Sequence, residues 1–315
     1  MRVVSILKKF YWKNLSLARL LNLIRNLYIW IYSSNSSPLY INNVNKIRRC
    51  KYYRDVVIDN DFYGHKYELS KTLKFDRRTY IEHGLYFGRY FQDKLRNSFI
   101  DSVICMSDFR LEVNMSNSMK ARPIGPYIAY VQTATRRIIS EKYTLVFVSH
   151  TGKKKSREIE YIQSITNWSS SVKKVSNKRL VFLLHPNDLD LSSALDGVTT
   201  SCGLQDDRLF LKRLKSLIYH AEDVVVDGIG THIGYCVFLN KKLVRVPALR
   251  RQFIKVIDDS SKTEHIFQSD SLRLSQLRQI EDKLPLWQIV DARDNELWRI
   301  CSDLWGFNYV QNANI

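Results

Sequence analysis

Histidines recur in this chain at the ends of short apolar runs, each in a polar or glycine-bearing corner. They are His83 after TYIE, His150 after TLVFVS, His185 after RLVFLL and His232 after VVVDGIGT. Because short apolar runs bounded by turn residues are typical of buried strands, these histidines mark predicted strand ends. An imidazole there can accept a proton, or donate a hydrogen bond to a phosphate oxygen, near neutral pH. The pattern therefore predicts one site assembled from several corners.

The corner YIEHGLYFG carries a carboxylate and an imidazole side by side. Either Glu82 or His83 could act as the general base that takes a proton from an acceptor hydroxyl, and His83 is preferred. The alternative is an inert strand-to-loop corner. A neighbouring polar segment offers rival proton acceptors, although a plain polar turn is its preferred interpretation: Asp59, Asp61 and His65.

Corners in the second half of the chain have the features of a phosphate site. Helix starts, glycines that permit close backbone approach and lysine side chains all attract anions. Thr231 is expected to cap a helix that begins at His232. The structural alternatives are plain capping and a histidine held at a turn, and no complete Walker or dinucleotide loop is present. The second half of the chain is therefore expected to bind an activated, phosphate-bearing donor molecule. The candidate donor-binding residues are Ser149, His150, Thr151, Lys153, His185, Pro186, Gly230, Thr231 and His232.

These corners need strands and helices to position them. Apolar runs of strand length alternate with amphipathic segments such as 153–168 and 206–220, which predicts an α/β fold with parallel sheets covered on both faces. One series of strands precedes residue 140 and another follows it, so two units, 1–140 and 141–315, are expected to face each other across a cleft. Ligands bind at the carboxyl ends of such strands. The predicted strands, each given with the polar or glycine-bearing turn that ends it, lie in 55–59, 79–84, 102–108, 122–128, 143–152, 178–188, 221–234 and 241–247, with closing helices after about 285.

The composition limits the class of partner. The 315 residues carry a net charge of +18, which suits nucleotide sugars, anionic lipid or nucleic acid. Lysines and arginines are spread along the chain and no nucleic-acid motif occurs, so nucleic acid is not the expected partner. A non-catalytic protein that binds polyanions is the alternative from another class. Five scattered cysteines without a CxxC pair indicate reduced thiols in the cytoplasm, and no zinc site.

Residues 1–32 place leucines and isoleucines at helical spacing, interrupted by basic residues. No uninterrupted apolar span of membrane length occurs there, so a helix lying on an anionic lipid surface is preferred. The alternative is a first helix packed on the domain with a solvated basic face. The preferred interpretation predicts a cytoplasmic protein attached peripherally to the inner face of the cytoplasmic membrane.

The corners together resemble the GT-B glycosyltransferases, in which two Rossmann-like domains face each other and no metal is required. LHP at 184–186 resembles the HP motif of bacterial sialyltransferases and polysialyltransferases, which contacts the cytidine monophosphate of the donor. EHG at 82–84 is similar to their acidic motif that carries the general base, with His83 where a second acid is expected. GTH at 230–232 stands where those enzymes have a phosphate-binding motif. A related HG corner occurs in teichoic-acid glycerophosphotransferases, with histidine as the proposed base.

The resemblance implies an inverting, metal-independent glycosyltransferase of bacterial O-antigen or capsule biosynthesis. The implied donor is a CMP-linked, sialic-acid-like sugar, and a UDP- or GDP-linked sugar or CDP-glycerol is the alternative. The implied acceptor is a glycan or lipid-linked glycan. Neither a metal nor another cofactor is expected from the resemblance.

Overall fold

The computed structural model describes residues 63–76, 78–92, 95, 98–132, 141–149, 159–203, 207–248 and 270–310, together with three isolated helical residues, Ser16, Leu20 and Leu23. The rest of the predicted N-terminal amphipathic helix and the predicted strand at 55–59 lie outside this part of the chain. Three candidate donor-binding residues and two rival carboxylates also lie outside it: His150, Thr151, Lys153, Asp59 and Asp61.

The first half of the chain forms a three-stranded parallel sheet with the order β1-β2-β3. The strands are β1 (Thr79–Ile81), β2 (Ser102–Cys105) and β3 (Lys120–Pro123). A short helix α1 (His65–Leu69) precedes the sheet, α2 (Asp108–Ser116) connects β2 to β3, and a 3-10 turn covers Tyr127–Tyr130.

The second half forms a six-stranded sheet with the order β6-β5-β4-β7-β8-β9, in which β9 alone is antiparallel to its neighbour. Its strands are β4 (Tyr143–Phe147), β5 (Arg179–Leu183), β6 (Val198–Thr200), β7 (Asp223–Val226), β8 (Lys242–Arg245) and β9 (Ile289–Val290). Its helices are α3 (Ile159–Val175), α4 (Phe210–His220), α5 (Thr231–Phe238), α6 (Ser271–Lys283) and α7 (Asn295–Trp305), with 3-10 turns at Pro186–Ala194 and Phe307–Tyr309.

The strand order of the second sheet creates a switch point. The chain enters at β4, moves outward through β5 and β6, and then returns to the other side of β4 with β7 and β8. The crossovers therefore diverge between β4 and β7, which is where open parallel sheets of this doubly wound type bind ligands. All five residues of β4 are buried, as expected for a central strand with both faces covered. The predicted α/β fold, with two parallel sheets beside a common cleft, is confirmed.

One hydrophobic core continues from the first sheet into the second. It contains Ile81 and Ile104 from the first sheet, Leu145 and Val226 from the second, and Trp305 from α7. The two sheets are therefore packed together through apolar contacts. The domain boundary predicted near residue 140 falls within 133–140, outside the described residues, and stays a prediction.

Several predicted elements differ from those observed. The strand predicted at 122–128 ends at Pro123, because Gly125 adopts a φ of +83° and the chain then enters a 3-10 turn. Strands β6 and β9 were not predicted, since three-residue and two-residue strands leave little periodicity to detect. The predicted closing helices after 285 correspond to α7. Within the described part of the chain, no helix is long and apolar enough to cross a membrane.

Candidate active site

A cavity of about 560 Å³ lies where the carboxyl ends of β1, β4, β5 and β7 converge. Its walls contain candidate residues from both halves of the chain, as the strand-end rule predicts. Glu82 and Pro186 do not line it. The candidate residues that the cavity brings together are His83, Ser149, His185, Gly230, Thr231 and His232.

The first corner contacts the β7–α5 corner directly. The backbone N–H of Leu85 donates to Oγ1 of Thr231 at 3.1 Å. A Cβ added to Gly84 would stand 2.6 Å from the same oxygen, so this close approach requires glycine. The prediction that Thr231 caps a helix starting at His232 is wrong: α5 begins at Thr231 itself, after Gly230, and the Thr231 hydroxyl binds across the cleft instead.

Glu82 is buried with 3% of its surface exposed, and its carboxylate is bound within the protein. The Arg110 guanidinium donates from Nη2 to Oε1 at 2.5 Å, and from Nε to both carboxylate oxygens at 3.1 and 3.2 Å. Asn114 adds a further bond at 2.9 Å. A carboxylate held this way by α2, outside the cavity wall, is positioned to fix the corner and not to reach an acceptor. Of the two candidate bases, the geometry favours His83.

His83 is half-buried in the cavity wall, where aromatic rings hold it. Its imidazole stacks on Tyr63 with a centroid distance of 4.6 Å, and the edge of Tyr86 lies at 6.4 Å. Both tyrosines also line the cavity. These ring contacts orient the imidazole in the cavity wall, where a group bound in the cavity would lie beside it.

The preferred interpretation of His65 as part of a plain polar turn is wrong. It is the first residue of α1, is 2% exposed and lines the same cavity. Its imidazole donates to the carbonyl of Glu82 and packs edge-on against Tyr127. Desolvation by burial, and secondarily the nearby His83, lower the pKa of His65 well below its ordinary value. His65 is therefore a neutral imidazole near neutral pH.

His232 is also neutral. It stacks on Phe147 at 4.6 Å, donates to the carbonyl of Gly228, and has a pKa lowered to about 4, chiefly because burial penalises the charged form. Nε2 has no hydrogen-bond partner among the described residues. Because the single ring proton is used on Gly228, Nε2 can only accept a hydrogen bond. This state does not suit the predicted phosphate contact, which requires a donor.

Ser149 occupies the switch point, and both of its donors are engaged by one carboxylate. Its backbone N–H and its hydroxyl each donate to Asp227, at 2.9 and 2.5 Å. A phosphate at this position would have to replace Asp227 as the acceptor. On the neighbouring strand, His185 is half-buried in the cavity wall, and Pro186 begins the adjacent 3-10 turn.

Tyr235 is a cavity residue that sequence reasoning missed. It is 3% exposed, and its hydroxyl has no hydrogen-bond partner among the described residues. Burial raises the pKa of this phenol, so it stays protonated. Tyr235 lies in the apolar stretch IGYCVF, which is typical of a buried core helix. The signal that could have indicated it is its spacing of four residues from Thr231, because this spacing places both side chains on one face of α5.

The described lining of the cavity contains no lysine, arginine, aspartate or glutamate. Within the same ranges, no group of three His, Cys, Asp or Glu residues is arranged to hold a metal ion. The cavity wall is thus made of imidazoles, hydroxyls and apolar side chains.

No protein-family model matches the chain, and no curated protein matches it significantly. Among solved structures, it is similar to a UDP-GlcNAc 2-epimerase from Methanocaldococcus jannaschii, with 12% identity and a TM-score of 0.31 over 56% of each chain. It is also similar to the pneumococcal O-GlcNAc transferase GtfA in complex with UDP and GlcNAc, with 13% identity and a TM-score of 0.31 over 74% of this chain and 50% of that one. UGT2 of Phytolacca americana, complexed with UDP-2fluoro-glucose and pterostilbene, gives 9% identity and a TM-score of 0.28 over 80% of this chain and 69% of that one. The chain spans about half the length of the first two, and scores of this size say nothing about activity.

Proposed function

We propose that this protein is an inverting, metal-independent glycosyltransferase that moves a sugar from a nucleotide donor to a glycan hydroxyl. The observation that carries the proposal is the meeting of His83 with the β7–α5 corner across one cavity at the switch point of a doubly wound sheet. Nucleotides bind at such switch points. A proton acceptor on the facing half of the same cavity supports a transfer reaction over simple nucleotide binding.

In the proposed reaction, His83 removes the proton of the acceptor hydroxyl as its oxygen attacks the anomeric carbon of the donor sugar. The new glycosidic C–O bond forms while the bond between that carbon and the donor phosphate oxygen breaks. The nucleotide phosphate leaves with the electron pair. The N-terminus of α5, with its partial positive charge and its backbone N–H groups, is the feature that supports stabilisation of this departing anion.

The donor of first choice is linked to CMP, because the LHP corner puts His185 on the cavity wall. The enzymes whose HP motif this corner resembles use a donor in which a sialic-acid-like sugar is linked to CMP. UDP- and GDP-sugars and CDP-glycerol are the alternatives. The acceptor we propose is a glycan or lipid-linked glycan of a bacterial O-antigen or capsule. The net charge of +18 supports work at an anionic membrane surface on its cytoplasmic side.

Thermal unfolding with CMP, UDP, GDP and CDP-glycerol tests the proposal. A nucleotide at one hundred times its Kd stabilises a protein by about 2.7 kcal/mol, which is readily seen as a rise in Tm. We expect one nucleotide to stabilise the protein selectively, and His185→Ala to remove that stabilisation. His220→Ala is the matched control, because His220 ends α4 and does not line the cavity. No response to any nucleotide, with tight DNA binding at low salt, would instead support a polyanion-binding protein.

A further inference from the structure

We propose that Tyr235, His65 and His232 form a subsite for the uncharged, hydroxyl-bearing part of the donor. The inference rests on the proposed function and assigns three residues of its cavity lining to one kind of ligand group. All three residues line the cavity, and each has a buried polar atom without a partner among the described residues: Oη of Tyr235, Nδ1 of His65 and Nε2 of His232. Buried polar atoms are almost always hydrogen-bonded, so three such atoms in one cavity lining indicate groups that a ligand satisfies.

The two imidazoles present acceptors only. His65 donates to the carbonyl of Glu82 and His232 donates to the carbonyl of Gly228, so the one proton of each neutral ring is already engaged. The nitrogens that remain, Nδ1 and Nε2, carry lone pairs. A ligand group that binds them must therefore be a donor.

Tyr235 complements these acceptors with a hydroxyl that can both donate and accept. It lies three residues after His232 on α5, which places the two side chains on neighbouring positions of one helix face. Its ring is fixed in the core, since only 3% of the residue is exposed. A rigid hydroxyl in the same cavity as two acceptor nitrogens suits a ring that carries several hydroxyl groups.

Anionic groups do not suit these three side chains. Ionised phosphate and carboxylate oxygens have no proton to donate, so they would face the lone pairs of the imidazoles. The described lining also provides no lysine or arginine that could compensate the charge. Sugar hydroxyls, in contrast, donate to the nitrogens and accept from Tyr235. The phosphates of the donor, and any carboxylate it carries, are therefore expected away from these side-chain atoms, with the departing phosphate at the backbone N–H groups of the α5 N-terminus.

The hydroxyls could belong to the transferred sugar or to the ribose of the nucleotide. Titration calorimetry separates the two sources with CMP, 2′-deoxy-CMP and CMP-N-acetylneuraminic acid, and with UDP, 2′-deoxy-UDP and UDP-glucose. Tyr235→Phe is the decisive variant, because it removes the hydroxyl and keeps the ring. We expect it to weaken binding about three- to tenfold, as for loss of one hydrogen bond. A loss confined to the sugar nucleotides assigns the transferred sugar, and a loss for ribonucleotides but not deoxynucleotides assigns the ribose.

Tyr143→Phe is the matched control. Tyr143 is equally buried, but its hydroxyl donates to the carbonyl of Leu217 at 2.7 Å. Its loss should lower stability to urea and leave ligand affinity unchanged. Tyr235→Phe should do the reverse, because its hydroxyl has no partner to lose among the residues that the structure describes. The inference is overturned if Tyr235→Phe binds every ligand as the wild type does, or if it is destabilised as much as Tyr143→Phe.

Binding of nucleotides that Tyr235→Phe does not alter would sink the subsite and leave the proposed function standing. If no nucleotide or sugar nucleotide binds, the proposed function fails, and methyl α-glucoside soaked into crystals then tests the subsite alone. Density for the glucoside within hydrogen-bond distance of Tyr235 Oη, absent in Tyr235→Phe crystals, would support the subsite. An empty wall in wild-type crystals would overturn it.

Discussion

The guanidinium of Arg110 and the carboxylate of Glu82 form a buried ion pair one residue before the proposed base. Both side chains are almost fully buried, and the shortest contact between them is 2.5 Å. The pair anchors the end of β1 to α2, and Asn114 of the same helix shares the carboxylate. Glu82, the alternative candidate for the base, is thus a buried ion-pair partner that fixes the backbone next to His83.

Glu82→Gln is expected to lower the free energy of unfolding and to leave the turnover rate unchanged. Removing one partner of a buried ion pair leaves the other charge uncompensated, which costs about 3–5 kcal/mol. Urea unfolding measures this loss. The control is Glu222→Gln, which breaks partly exposed pairs with Lys142 and Lys178 and should cost much less stability, because solvent screens these charges. A Glu82→Gln protein with wild-type stability and no turnover would make Glu82 the base.

His83→Ala is expected to lower turnover while nucleotide binding persists. Removal of a general base slows a reaction by about 10²- to 10⁴-fold. Steady-state transfer rates and nucleotide-induced stabilisation should be measured on the same preparation. His220→Ala, away from the cavity, should retain full activity. Wild-type turnover in His83→Ala would mean that this corner is structural.

Thr231→Val is expected to loosen the contact between the two halves of the chain. It keeps the side-chain shape and removes the oxygen that accepts the N–H of Leu85. Loss of one such bond costs about 1 kcal/mol, and a buried N–H left without a partner adds to this. Thr231→Ser retains the hydroxyl and should remain close to wild type in urea unfolding. Equal losses in both variants would show that the methyl group, and not the bond, is what matters.

Gly234→Ala is expected to destabilise the protein because α5 packs directly on α7. A Cβ at Gly234 would overlap the indole ring of Trp305, which is fully buried and cannot move aside. Overpacking of this kind costs about 1–3 kcal/mol, against a gain of about 1 kcal/mol in helix propensity. Gly228→Ala is the contrast, since its nearest neighbour would be Ser149 Oγ at 3.7 Å. Equal Tm values for the two variants would contradict this packing.

Stability is expected to fall as the solution becomes acidic. The pKa of His232 is about 4 in the folded protein and about 6.5 when unfolded, so the unfolded chain binds more protons between these values. The contribution of neutral His232 to the free energy of unfolding is complete above about pH 6.5 and is lost as the pH falls towards 4. Between about pH 7 and pH 5 it amounts to about 2 kcal/mol, and the lowered pKa of His65 acts in the same direction. Urea unfolding of wild type and His232→Gln should give a shallower pH dependence for the variant, and identical slopes would refute the assignment.

The strand-end histidines could be predicted because they depend on local pattern. A run of apolar residues that ends in a polar corner indicates a buried strand, and the carboxyl ends of parallel strands meet at one edge. That rule brought His83, His185 and His232 to a single cavity. Their roles did not follow from it, because the neutral, acceptor-only state of His232 depends on Phe147 and on the carbonyl of Gly228.

The partners of the site were not predictable, because they come from distant parts of the chain. Arg110 is 28 residues from Glu82, and Thr231 is 146 residues from Leu85. Pairings over such separations leave no periodic signal. Tyr235 was missed for another reason: a buried tyrosine within an apolar helix is indistinguishable in sequence from a core residue whose hydroxyl is satisfied.

Trp305 has a consequence for the order in which the protein matures. Its indole N–H donates to the carbonyl of Thr231, 74 residues earlier, while its ring covers Gly234. The helix start that borders the cavity therefore lacks its final packing until α7 has left the ribosome. Strands β1 to β9 are all synthesised before that moment. Nascent chains that stall before residue 305 would carry the strands of both sheets without the final packing of the α5 start beside the cavity.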